Sequence, residues 1–288
     1  MLGAMQTVEI VYRYDGKNPQ VRSRPASTKA ALLRLQEGNR AFAELLSNVK
    51  DGEGLVRHVI DVDARDFGVL PGAAGTRPFA AVLGCSDARV PLEMIFNEGP
   101  NDLFVIRAAG NGLGSDALGS LRYAVEHLCG SLKLVVVLGH SRCGAVSAAV
   151  DVFLNPADYL SLATVHSLRG ILDRLLVVVQ ASARKLVSAF GADVVLRGGY
   201  CKALVEAAII TNAAWSAYEI QQALAADGQS RIQVAYGVCL LESRDVWTPQ
   251  LDQAAGTRLA SPPKDAAGFA RLGDAVVQSA RIADLLMG

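Results

Sequence analysis

Leu134-Val135-Val136-Val137-Leu138-Gly139-His140-Ser141-Arg142-Cys143 is the stretch that decides the fold class. An unbroken apolar run closed by glycine describes a strand buried on both faces, as in the middle of a parallel sheet, whereas a half-exposed strand would alternate with polar residues. A second run of the same kind, Phe79-Ala80-Ala81-Val82-Leu83-Gly84, leads into Cys85-Ser86-Asp87-Ala88-Arg89. In open parallel sheets ligands collect beyond the carboxyl ends of the strands. Two such strands side by side would bring Cys85, His140 and Cys143 to one point. The expected fold is α/β: a mainly parallel central β-sheet flanked by helices, with N- and C-terminal helical extensions.

Taken singly, these residues say little. Free cysteines are mostly small buried hydrophobes, and a lone histidine is more often a satisfied polar side chain than a ligand. Their pairing at two strand ends points to chemistry. Two thiolates and an imidazole suit zinc, and three protein ligands leave the fourth tetrahedral position open, as in catalytic rather than structural centres. Asp87, two residues past the first thiolate, has Arg89 two residues further on as an ion-pairing partner.

At these residues the sequence resembles the β-class carbonic anhydrases. The likeness runs from Leu35-Gln36-Glu37-Gly38-Asn39-Arg40-Ala41-Phe42 through CSDARVP (85 to 91), DLFVIRAAGN (102 to 111), GSLRYAVEHL (119 to 128) and GHSRCGAV (139 to 146), and ends with VAYGVCLLESRDV (234 to 246). The resemblance implies one Zn²⁺ per chain on Cys85, His140 and Cys143, with Asp87 and Arg89 as the catalytic dyad. It also implies an apolar substrate pocket at Phe104, Ala109 and Tyr123, reversible hydration of carbon dioxide to bicarbonate and a proton, and an active homodimer or dimer of dimers. Ala88 stands where the family motif usually has serine, Thr76 where many members carry glutamine, and Val82 where a bicarbonate-regulated subgroup has tryptophan. A carbon disulfide or carbonyl sulfide hydrolase would use the same zinc and dyad, because those linear molecules offer an analogous carbon electrophile. A non-catalytic zinc-binding regulator on the same scaffold is the third alternative, and the intact Asp87 and Arg89 argue against it.

Composition agrees with a small substrate. Lys+Arg and Asp+Glu balance at 28 each among 288 residues, so no global field advertises nucleic acid or an anionic membrane. Apolar runs fall far short of the roughly 20 residues needed to cross a bilayer, and no charged segment followed by a hydrophobic core opens the sequence. A cytoplasmic location is expected. Cys129, Cys201 and Cys239 form no disulfide-scaffold pattern and are expected to be buried thiols.

Residues 1–28 read as an N-terminal arm and 29–288 as a single α/β domain. Ser27 or Thr28 is positioned to cap a helix from about Lys29 to Val49, and a loop rich in Gly and Asp then reaches Arg77-Pro78. Strands are expected near 79–84, 102–107, 134–139 and 231–238, with a helix over 115–129. Asn155 to Asp227 reads as helical with a break at Arg197-Gly198-Gly199. Its apolar face (Leu168, Ile171, Leu172, Leu175, Leu176) serves either the core or a subunit interface. A final helix runs through Phe269, Leu272, Val276 and Ile282. Gly110-Asn111-Gly112-Leu113-Gly114 lacks the Walker lysine and the full dinucleotide spacing, so a turn shaping the metal pocket is the expected role. His58, His127 and His166 are expected to be structural or solvated, and Arg142 to be a rim charge.

Overall fold

A computed structural model describes residues 7–14, 22–48, 55–68, 75–162, 166–229, 231–249 and 258–287. The strands are β1 (Thr7–Arg13), β2 (Leu55–Asp61), β3 (Ala80–Gly84), β4 (Leu103–Arg107), β5 (Leu134–His140), β6 (Gln233–Cys239) and β7 (Val246–Trp247). The helices are α1 (Thr28–Asn48), α2 (Leu92–Ile95), α3 (Ser115–His127), α4 (Gly144–Leu154), α5 (Ala157–Leu162), α6 (His166–Phe190), α7 (Tyr200–Ala226), α8 (Ala266–Val277) and α9 (Ala280–Met287).

The central sheet has the order β4-β3-β5-β6-β7, with the first four strands parallel and β7 antiparallel at the edge. Every residue of β3 and of β5 is buried, which is why neither sequence alternates. Ala81, Leu83, Val135 and Val137 face a core built with α3, α4, α6, α7, α8 and α9. Ala80, Val82, Leu134, Val136 and Leu138 face a second core that includes Leu35 and Phe42 of α1 and Leu92 of α2. Helices therefore cover both faces. From β3 the chain steps to one side for β4 and then crosses back to the other side for β5. The crevice beyond β3 and β5 is thus a topological switch point, where an open α/β sheet accommodates ligands.

Ser27 caps α1, its hydroxyl accepting from the Ala30 N–H at 3.2 Å. Asn39, fully buried on α1, donates to the carbonyls of Ile95 and Arg244 and accepts from the Val246 N–H, binding the helix to both α2 and the sheet edge. Gly38 faces the Phe96 carbonyl so closely that any Cβ would collide with it.

Several expectations are corrected. The stretch expected to be a loop before Arg77 contains β2 and a 3-10 turn, Ala64–Phe67, while Thr7–Arg13 of the expected arm is a strand paired in parallel with β2. Exposed residues and charges interrupt both strands, so neither shows a periodic apolar signal. The tail forms two helices, α8 and α9, because Gln278 and Ser279 end the first. Cys129 and Cys201 are exposed, and only Cys239 of the three is buried. Of the apolar face read in this stretch, Leu172 and Leu175 are buried in the core, Ile171 and Leu176 are partly buried, and Leu168 points outward, as does Val177. The expected break at Arg197-Gly198-Gly199 is present, separating α6 from α7 after a 3-10 turn, Ala192–Leu196. The side chain of His166 lies outside the described residues. Among the described residues no helix is long and apolar enough to cross a membrane.

Candidate metal centre

Cys85 follows the last residue of β3, His140 ends the neighbouring β5, and Cys143 precedes α4. Parallel register places Gly84 opposite Leu138, two residues before His140 ends β5, so Cys85 leaves β3 beside the end of β5. The ligating atoms of the three buried side chains lie within 4.8 Å of one another, a cluster able to hold a metal ion. Cys85 Sγ and Cys143 Sγ are 4.0 Å apart. Two thiolates on one tetrahedral zinc at about 2.3 Å each would sit about 3.8 Å apart, so the spacing fits. The histidine fits too. Its Nδ1–H donates to the Ser141 carbonyl at 3.0 Å, which fixes the tautomer and leaves the Nε2 lone pair free. That Nε2 is buried without any hydrogen-bond partner. An orphaned acceptor costs about 1–3 kcal/mol in a protein interior, and a metal would relieve that cost.

The charges favour a cation. The Cys143 thiol beside it draws Cys85 well below the ordinary thiol range, while the same contact and burial push Cys143 up. A divalent ion held between the two sulfurs would stabilise both as thiolates.

Asp87 stands at the rim. Arg89 grips it in a fork, Nε to Oδ1 at 2.9 Å and NH2 to Oδ2 at 2.6 Å, and its backbone N–H also donates to Oδ1. This pairing holds the Asp87 carboxyl well below the usual carboxylate range, so it is an obligate acceptor. Its Oδ2 lies 3.8 Å from His140 Nε2. Arg107, at the end of β4, donates to the carbonyls of Cys85 (3.0 Å) and Asp87 (2.5 Å), clamping the loop that carries both.

The expected pocket residues are placed less tightly. Phe104 and Tyr123 pack with ring centroids 6.4 Å apart, and Tyr123 also meets His127 in a tilted contact at 4.7 Å, yet Tyr123 is 53% exposed in the single chain. Ala109 opens the 3-10 turn Ala109–Asn111, whose neighbour Ala108 bonds back to Gly84 and Ser86 beside Cys85. The glycine-rich stretch is thus a turn next to the donors: Gly110 has φ +60°, and Asn212 of α7 donates to its carbonyl at 2.8 Å. His58 bonds Asn97 at 2.6 Å. Arg142 takes φ +56°, with its N–H bonded to Glu206.

Glu206, Asn212, Ser141, Glu242 and Arg281 all support this region, and the sequence reading passed over them. A signal existed for two: Glu206 and Asn212, with Thr211, are the polar interruptions of the helix segment Ala203–Ala214.

The family model described as carbonic anhydrase matches residues 80–231, more than half of the 288 residues and all three donors. The chain belongs to the carbonic anhydrase family. The β-class resemblance is borne out. Carbonic anhydrase 2 of Mycobacterium tuberculosis is 51% identical over 78 residues, 27% of this chain and 37% of that protein. The carbonic anhydrase of Mycolicibacterium smegmatis is 49% identical over 75 residues, 26% of this chain and 35% of its own length. The matched stretch therefore spans little more than a third of these curated relatives. Among solved structures, the β-carbonic anhydrase CafA of Aspergillus fumigatus is similar at 22% identity and a TM-score of 0.46, with 85% of this chain and 97% of that one covered. A Coccomyxa β-carbonic anhydrase in complex with acetazolamide gives 22% identity, a TM-score of 0.45, and coverage of 82% and 90%.

Proposed function

We propose that the chain is a zinc-dependent carbonic anhydrase that hydrates carbon dioxide reversibly to bicarbonate and a proton, with Cys85, His140 and Cys143 as the zinc ligands and Asp87 with Arg89 as the dyad. The observation that carries this reading is the buried, partnerless His140 Nε2 facing two cysteine sulfurs at a strand-end crevice. Zinc held there would supply a Lewis acid that makes a water nucleophilic.

The chain's own groups do the rest. Asp87, ionised and facing the donors, accepts a hydrogen bond from the attacking water and so turns its lone pair toward the carbon of carbon dioxide. Arg89 keeps that carboxylate turned to the rim; released, Asp87 Oδ2 is close enough to His140 to swing among the donors and exclude water. Arg107 holds the backbone carbonyls of Cys85 and Asp87, so the acceptor needs little reorganisation during reaction. Phe104, Ala109 and Tyr123 offer apolar surface for a linear, uncharged substrate. A homodimer or dimer of dimers fits the outward Leu168 and Val177 and the exposed Tyr123, and sedimentation of the 30.4 kDa chain should give a dimer or tetramer.

Metal analysis combined with stopped-flow carbon dioxide hydration tests the reading. Cys143→Ala should lose both zinc and activity. Arg89→Ala and Asp87→Asn should keep zinc and lose about 10²-fold or more in kcat. Zinc-loaded wild type without hydration at any pH would overturn the proposal, and faster release of sulfide from carbonyl sulfide would move it to the sulfur analogue.

A further inference from the structure

Both residues between His140 and Cys143 are tied to groups far away in sequence. We infer that Glu206, Glu242 and Arg281 form a clamp that sets the 140–143 loop for metal, acting as positioning residues for the centre. The inference rests on the donor set proposed above.

Arg142 adopts a left-handed backbone, which costs a residue with a Cβ roughly 1–2 kcal/mol. Its N–H is held by Glu206 Oε1 at 2.9 Å, and its carbonyl accepts from Arg89 at 3.4 Å. Glu206 is only 5% exposed, on a stretch of α7 that is otherwise almost wholly apolar, so its charge needs a partner. Arg281 of α9 supplies it, Nε to Oε2 at 2.8 Å. The same guanidinium donates to Glu242 Oε1 at 2.5 Å. Glu242 Oε2 accepts from the Ser141 hydroxyl at 3.2 Å, and that hydroxyl accepts from the Leu241 N–H at 2.9 Å. One arginine thus serves two carboxylates, and each carboxylate holds one loop residue. Helix α9 is seated closely enough to make this rigid: Gly199 meets the Leu285 carbonyl where no Cβ would fit.

A strained loop held at Ser141 and at Arg142 keeps His140 Nε2 and Cys143 Sγ converged before any ion arrives. Outer groups that orient metal ligands are typically worth about 10–100-fold in affinity. The rival explanation is that Arg281 merely fastens α9 to α7.

Zinc affinity by chelator competition, together with the thiolate charge-transfer band of the cobalt-substituted protein, separates the two. Arg281→Ala, at the partly exposed rim of the network, and Glu206→Ala should each weaken zinc about 10–100-fold and alter the cobalt band. Leu286→Ala, which loosens the packing of α9 without touching the loop, should lower Tm and leave affinity and band unchanged. Wild-type affinity in both network variants overturns the clamp, as does an equal loss in Leu286→Ala. If Glu206→Ala does not fold, Arg281→Ala decides by the same criterion. A wild-type chain that takes up no zinc overturns the donor set itself and the clamp with it.

Discussion

Two parallel strand pairs of this molecule share a backbone pattern and almost nothing else. β3 and β5 are buried on both faces and packed between two apolar cores. β1 and β2 pair over seven residues; apart from the buried Ile60 their described side chains are half-exposed or exposed, and two register partners are ion pairs, Glu9 with Arg57 and Arg13 with Asp61. Parallel pairing is held by apolar burial in one case and by surface charge in the other. Exposed ion pairs contribute about 1 kcal/mol or less and weaken with salt, whereas each fully buried aliphatic side chain contributes about 1.5–3 kcal/mol.

The sharpest contrast between the buried sheet and the exposed surface should appear in thiol reactivity. Burial pushes the Cys239 thiol, at the end of β6 beside β5, up to about 12, while Cys129 lies exposed between α3 and β5. Alkylation at pH 8, followed by mass spectrometry, should modify Cys129 about 10³-fold faster than Cys239, since the thiolate is the reactive form. Comparable rates would show that the central sheet opens readily. Next in size is Leu138→Ala in β5, expected to cost about 2–5 kcal/mol in denaturant unfolding through the cavity it leaves. A loss below 1 kcal/mol would mean that this layer is loosely packed. The smallest effect belongs to Arg57→Ala, about 0.2–1 kcal/mol in low salt and vanishing near 1 M salt. An effect that persists in high salt would show β1 and β2 to be held by something other than cross-strand charge.

The same contrast explains what could be read from the sequence. β3, β5 and the motifs that follow them were legible because burial on both faces leaves continuous apolar runs, and because Cys, His, Asp and Arg are rare enough together to stand out. β1 and β2 were missed because Thr7–Arg13 and Leu55–Asp61 mix charges into short strands whose partners lie about fifty residues apart. Cys129 and Cys201 were expected inside on the habit of their residue type, but loop and helix-terminal positions expose them. The Glu206–Arg281–Glu242 network was invisible for another reason. Its members are separated by up to 75 residues, and no local spacing announces contacts made through the tertiary fold.

His140 is at once a donor atom's carrier and the last paired residue of β5, opposite Cys239. Side chains alternate along a strand, so a slip of one residue in the pairing of β5 would turn the imidazole to the opposite face of the sheet. Such a molecule would still be compact and apolar inside, yet it would offer an ion only two sulfurs. An ion held by the proposed donors would therefore stabilise only chains whose β5 is paired in this register.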